Sequence, residues 1–138
     1  MTIKQVSVFL ENKTGRINHV TKILAANGIN MHAFSMAETT EFGILRLIVS
    51  DVEKAVESLR GADFAVMLTD VVCISCPDVA GSLAAVLDHL AEQDIFIEYM
   101  YAFAHGENAN IVIRPNDINK CILALKDCNC DIVCKQDF

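Results

Sequence analysis

"VSVFLENKTGRINHVTKIL", residues 6–24, and "VCISCPDVAGSLAAVLDHL", residues 72–90, carry one pattern at a spacing of 66 residues. In each, apolar residues alternate as on a strand (Val6, Val8 and Leu10; Val72 and Ile74). A glycine follows (Gly15; Gly81), and apolar residues then recur at helical spacing (Ile17, Val20, Leu24; Leu83, Val86, Leu90). The same shift extends outward without a gap. It places Ile29 on Ile95, Leu45 on Ile111, Leu47 on Ile113, Asp51 on Asp117, Lys54 on Lys120 and Leu59 on Leu125.

The order of periodicities within one copy defines the fold class. After the first strand and helix, Asn27-Gly28 stops the helix, and "INMHAFSMA" and "GILRLIV" read as two strands joined by the polar "ETTEF". Ser50 or Asp51 caps a second helix with Val52, Ala55, Val56 and Leu59 as its stripe, Arg60-Gly61 closes it, and "DFAVMLT" is the last strand. The sequence therefore predicts an α+β protein of two ferredoxin-like βαββαβ units, 1–69 and 70–138. Each has an antiparallel sheet with helices on one face. The connection "MLTDVV" is too short to let the units wander, so their sheets are expected side by side as one surface. Phe9, Ile44, Ile48 and Val112 are apolar on strands whose opposite positions also look buried, so something is expected to cover part of both faces.

Composition narrows the function. With 138 residues and 53% apolar content the chain can bury a core. No window approaches a membrane span, and the N-terminus lacks the layout of a secretory signal, so a cytoplasmic location is expected. The net charge of -7 disfavours nucleic acid. It is uneven: seven basic and seven acidic residues in the first unit, four and eleven in the second, the latter read as a solvated acidic face. No Ser-His-Asp order, phosphate loop, HExxH motif or paired-carboxylate arrangement occurs, so no enzyme activity and no cofactor are expected.

The turn "ENKTGRI", residues 11–17, is the candidate site. Backbone N–H groups and the positive end of a helix dipole at Gly15, Arg16 and Ile17 favour a carboxylate, and glycine permits close approach. Asn12, Lys13 and Thr14 complete the turn. Asn12 and Asn30 each offer donor and acceptor, which suits a zwitterion. His32 lies two residues past Asn30, on the same side of its strand.

A βαββαβ unit with a glycine at the mouth of its first helix resembles the ACT domain, the small-ligand sensing module of amino-acid metabolism. "ENKTGRI" and "NGINM" are similar to the two segments of the serine-sensing ACT domain of phosphoglycerate dehydrogenases that hold its effector. The resemblance implies that Asn12 and Asn30 bind one amino acid or related carboxylate where two units meet, Asn12 to Gly15 taking the carboxylate and Asn30 the amino group. Leu10 and Thr14 depart from that sensor's histidine and proline, so serine itself is not implied. In the second unit Asp78 stands at the place of Asn12, Gly81 is kept, and Phe96 replaces Asn30, which disfavours a second identical site. The resemblance also implies an allosteric regulatory homodimer, paired by buried sheet surface or an extended sheet edge. An alternative is an accessory subunit regulating a separate metabolic enzyme. Another is a thiol or metal module. All six cysteines (Cys73, Cys76, Cys121, Cys128, Cys130, Cys134) lie in the second unit, with Cys73 and Cys76 on its first strand and the last three on its last. A CxxC within a strand points its thiols to opposite faces, so no metal is expected. His19 and His89 are expected on helices facing solvent, and His105 has no assigned role.

Overall fold

The computed structural model describes residues 1–39, 41–128 and 130–138; Thr40, within the "ETTEF" connection, and Asn129 lie outside the described residues. The elements are β1 (Ile3–Glu11), α1 (Arg16–Ala26), β2 (Met31–Glu38), β3 (Phe42–Val49), α2 (Val52–Gly61), β4 (Ala65–Pro77), α3 (Ser82–Glu92), β5 (Ile97–His105), β6 (Asn108–Pro115), α4 (Ile118–Lys126), β7 (Asp131–Val133) and a closing 3₁₀ turn, Lys135–Asp137. This is βαββαβ twice, the tandem ferredoxin-like arrangement read from the sequence. The chain divides into two compact units, Lys4–Thr69, and Asp70–Phe138 together with Met1–Ile3. "MLTDVV" does not form a loop: its residues lie inside the thirteen-residue strand β4.

The first unit orders its strands β2-β3-β1-β4. β1 and β3 run antiparallel with Val6 opposite Leu47 and Leu10 opposite Gly43, and β2 runs antiparallel to β3 with Met36 opposite Leu45 and Glu38 opposite Gly43. Val6, Val8, Leu10, Leu45 and Leu47 pack with Val20 and Leu24 of α1 and Ala55 and Leu59 of α2 as one core. Because side chains alternate across a strand, Gln5, Ser7 and Phe9 point to the face without helices. Gln5 and Ser7 are nevertheless buried there, as are Ile48 and Ala33, and Gln5 Nε2 donates to Ser7 Oγ at 3.2 Å. In the second unit β4 lies between β6 and β7, and β6 pairs with β5. Val72, Ile74 and Cys76 face Val86 and Leu90 of α3 and Cys121, Ala124 and Leu125 of α4.

The caps explain where the helices begin. Asp51 and Asp117 are extended residues whose carboxylates accept the N–H of Lys54 and Lys120 at 3.1 Å, so α2 and α4 start with conventional side-chain caps. α1 and α3 start differently. Gly15 and Gly81 adopt φ +89° and +90°, a left-handed conformation that reverses the chain directly from strand to helix, and no side chain caps either helix. A Cβ would meet no other atom at either glycine, so the need is purely one of backbone conformation. Gly15→Ala and Gly81→Ala are each expected to cost about 1 kcal/mol through the left-handed backbone alone. The urea midpoints of the two variants check this, and unchanged midpoints at both positions would contradict it.

Candidate functional site

The turn from β1 to α1 closes on itself through backbone bonds. Lys13 N–H donates to Glu11 O at 2.8 Å and Arg16 N–H to Lys13 O at 3.3 Å. Arg16 therefore uses its own N–H within the turn, and the rest of the first helical turn is left without a side-chain cap. The side chains add a charged cluster. Glu11 holds Lys13 Nζ at 2.8 Å and Arg16 Nη2 at 3.0 Å, and the hydrogen bond from Lys13, followed by that from Arg16, lowers the Glu11 pKa below the ordinary glutamate value. The Arg16 guanidinium also lies 5.6 Å over the Phe64 ring. Exposed ion pairs add little to stability, so stability alone does not account for this cluster.

Below it lies a cavity of about 420 Å³, lined by Glu11, Lys13 and Arg16 with Asn12, Thr14, Leu10, Ile17, Met36 and Glu38. The strand register explains the last two. Leu10, Gly43 and Glu38 stand side by side across β1, β3 and β2, all on the helix face, and Met36 is two residues before Glu38 on that face. A Cβ at Gly43 would overlap the Met36 methyl, so the missing side chain there is what lets Met36 lie across the floor.

Of the residues singled out in sequence, Asn12, Lys13, Thr14 and Arg16 line this cavity and Gly15 turns the chain beside it. Asn30 and His32 do not join them within the unit. Asn12 Nδ2 donates to Thr39 O at 3.3 Å, just past the end of β2, whereas Asn30 precedes the start of β2 and its N–H donates to Ser50 Oγ. Eight strand residues separate the two ends, roughly 25 Å at the usual rise per residue. One small ligand cannot touch both asparagines of one unit. Met36 and Glu38 were missed, and the side chains of Leu10, Glu11 and Ile17 were given no role, although the 66-residue shift holds a usable signal. It sets Glu11 against Pro77, Lys13 against Val79, Arg16 against Ser82, Met36 against Ala102 and Glu38 against Ala104. The glycine turn belongs to both copies, but this charged cluster occurs in the first alone.

In the second unit Asp78 and Gly81 are exposed, and Asp78 N–H donates to Glu107 O at 3.2 Å. Asp78 lines neither of two neighbouring cavities. One, of about 410 Å³, runs between Cys76, Ser82, Val86, His89 and Cys128; the other, of about 320 Å³, includes Cys76, Cys128, Cys130 and Asp131. His89 is half-buried rather than solvent-facing, its Nε2 2.9 Å from Ala124 O, and so ties α3 to α4. His19 is exposed and stands edge-on to Phe64.

The cysteines require one correction. Cys128, Cys130 and Cys134 flank β7 instead of lying on it, because that strand is only Asp131–Val133. Cys73 and Cys76 do take opposite faces of β4: Cys76 joins the helix-side core and Cys73 does not. All six are free thiols, and among the described residues no group of three or more His, Cys, Asp or Glu side chains is placed to hold a metal ion. Burial pushes Cys73 up to about 12 and Cys121 and Cys130 up to about 11, with a further rise at Cys130 from Cys128, so these thiols stay protonated at neutral pH.

The structure thus defines a tandem ferredoxin-like protein with a small mixed-charge cavity at the first strand-to-helix turn. The chain belongs to the ACT domain pair family, whose model matches residues 1–138. It is similar to the crystal structure of protein BT0572 from Bacteroides thetaiotaomicron, at 52% identity and TM-score 0.95, covering 99% of this chain and 95% of that one. It shares its fold with the regulatory subunits of aspartate kinase from Thermus thermophilus (16% identity, TM-score 0.69, 89% and 87% of the two chains) and Thermus flavus (18%, 0.64, 89% and 90%). Comparison with curated protein sequences gives no match. Among the described residues no helix is long and apolar enough to cross a membrane.

The raised thiols set a pH window. A thiol whose pKa is higher folded than unfolded contributes stability fully below the ordinary value of about 9, and loses it as the pH rises toward 11 to 12. The urea midpoint is therefore expected to fall between pH 9 and 11, and to fall less in Cys73→Ala. A flat wild-type profile across that window would contradict the assignment.

Proposed function

We propose that the chain is a non-catalytic sensor of a small amino acid or related carboxylate, with its binding turn in the first unit. The observation that carries this is the charged cluster of Glu11, Lys13 and Arg16: a cavity of similar size recurs in the second unit beside Cys76, Pro77 and Ser82, the counterparts of Leu10, Glu11 and Arg16, but the charges line it in the first unit alone. A feature that the fold itself required would recur in both copies, as the glycine turn does. Lys13, Arg16 and the uncapped start of α1 supply the positive side for a carboxylate.

The place of Asn30 then points to assembly. Among the described residues β2 pairs only with β3, and this edge carries Phe34, 64% exposed. Two copies joined antiparallel along β2 about a two-fold axis would cover that ring. They would also bring Asn30 of the partner subunit to the Glu38 end of β2, beside the turn. A homodimer is the arrangement in which both asparagines reach one ligand. The reading as a sensor extends to regulation of a separate enzyme, in the way the Thermus proteins are subunits of an aspartate kinase.

Thermal unfolding of the whole chain against each of the twenty amino acids tests the proposal. A ligand at a hundred times its Kd is expected to add ~2.7 kcal/mol of stability, and Arg16→Ala to remove most of that gain. No stabilisation by any amino acid would overturn it.

A further inference from the structure

Resting on the sensor reading, the geometry points to Glu38 as the acceptor of the ligand's ammonium group and to Met36, laid over Gly43, as the wall for an aliphatic side chain. The first-unit cavity would then hold an aliphatic α-amino acid.

Three features converge on this. First, the cavity has two electrically distinct sides. Lys13 and Arg16 stand at the helix end, while Glu38 sits on β2 across Gly43 from Leu10. Glu11 already answers both cations, whereas the Glu38 carboxylate enters none of the ion pairs among the described residues. A ligand carboxylate can replace Glu11 on Lys13 or Arg16, because those bonds are exposed and exchange readily with solvent. A cation for Glu38 has to come from outside the cavity lining. A zwitterion supplies both charges at once.

Second, the remaining lining is apolar. Leu10 is buried, and Ile17 and Met36 are 44% and 40% exposed, large hydrophobic surfaces left open on the cavity side of the strand and helix. The Met36 thioether is unbranched and adapts to a variable aliphatic chain. Third, the repeat shows that the fold does not need this layer. Where the first unit has Leu10, Gly43 and Glu38 in register, the second has Cys76, Ala109 and Ala104 in the same register, and Ala102 in place of Met36. The second unit folds with a small, uncharged layer, so Glu38, Met36 and Gly43 are departures that framework packing does not demand.

The probes are L-leucine and its deaminated analogue 4-methylpentanoate, titrated calorimetrically into the full-length protein. Wild type is expected to bind L-leucine at least tenfold more tightly than 4-methylpentanoate. In Glu38→Gln the ratio is expected to collapse to about one, through weaker L-leucine with 4-methylpentanoate bound no worse. Glu38 is exposed at a strand end, so the fold should survive; Gly43→Ala serves as a second variant and is expected to weaken L-leucine at least threefold by displacing the Met36 methyl. A Glu38→Gln protein that keeps the tenfold preference overturns the ammonium assignment, and unaltered L-leucine binding in Gly43→Ala overturns the wall. If another amino acid binds and L-leucine does not, this inference fails while the sensor reading stands. If no amino acid binds, both fail.

Discussion

Both units depend on one backbone constraint, the left-handed glycine that ends a central strand and starts a helix. At Gly15 and Gly81 a φ near +90° turns the chain back over the sheet within a few residues. The helix stripe (Val20 and Leu24; Val86 and Leu90) then lands on the alternating face of the strand it has just left. The same reversal leaves an uncapped helix N-terminus beside the end of that strand. A partly positive patch is therefore a by-product of building the fold at all. Function begins only where side chains shape that patch.

The internal repeat separates these two levels. Whatever recurs at a spacing of 66 is a requirement of the framework: the turning glycine, the Asp51 and Asp117 caps, and the apolar face of each strand and helix. Whatever occurs in one copy only has been placed there for another reason or has drifted. Glu11, Lys13, Arg16, Met36 and Glu38 all line one cavity, which supports the proposed site. The cysteines of the second unit are as unevenly distributed, yet burial keeps the Cys73, Cys121 and Cys130 thiols protonated, and Cys76 and Cys121 belong to an ordinary core. They act as small hydrophobes.

The fold was legible because period-two and period-3.6 patterns alternate in a fixed order, with caps at Asp51 and Asp117 and stops at Gly28 and Gly61. Long elements with one buried face write themselves into the sequence this way. The closing strand of the second unit was less legible: β7 has three residues, too few to show a period, so the cysteines beside it were placed on a strand they only flank. The site was half legible. Local residues of the turn were found because they are contiguous, whereas Glu38 and Met36 reach the turn through the β3 register, which no local pattern encodes. That Asn12 and Asn30, expected on one ligand where two units meet, stand at opposite ends of β2 within a unit was hidden for the same reason. Their equivalence by resemblance says nothing of which end of β2 each one occupies.

The central claim is that a ligand site exists in the first unit and not at the matching place in the second. Backbone ¹H–¹⁵N chemical-shift mapping of the full-length protein during titration with L-leucine tests it directly, since each residue of one turn from Asn12 onward has an N–H-bearing counterpart in the other as a control. Saturable shifts at Glu11–Ile17, Met36 and Glu38, with Val79–Leu83, Ala102 and Ala104 unmoved, are the expected result. Shifts of equal size in both sets, or confined to the second unit, would contradict the account.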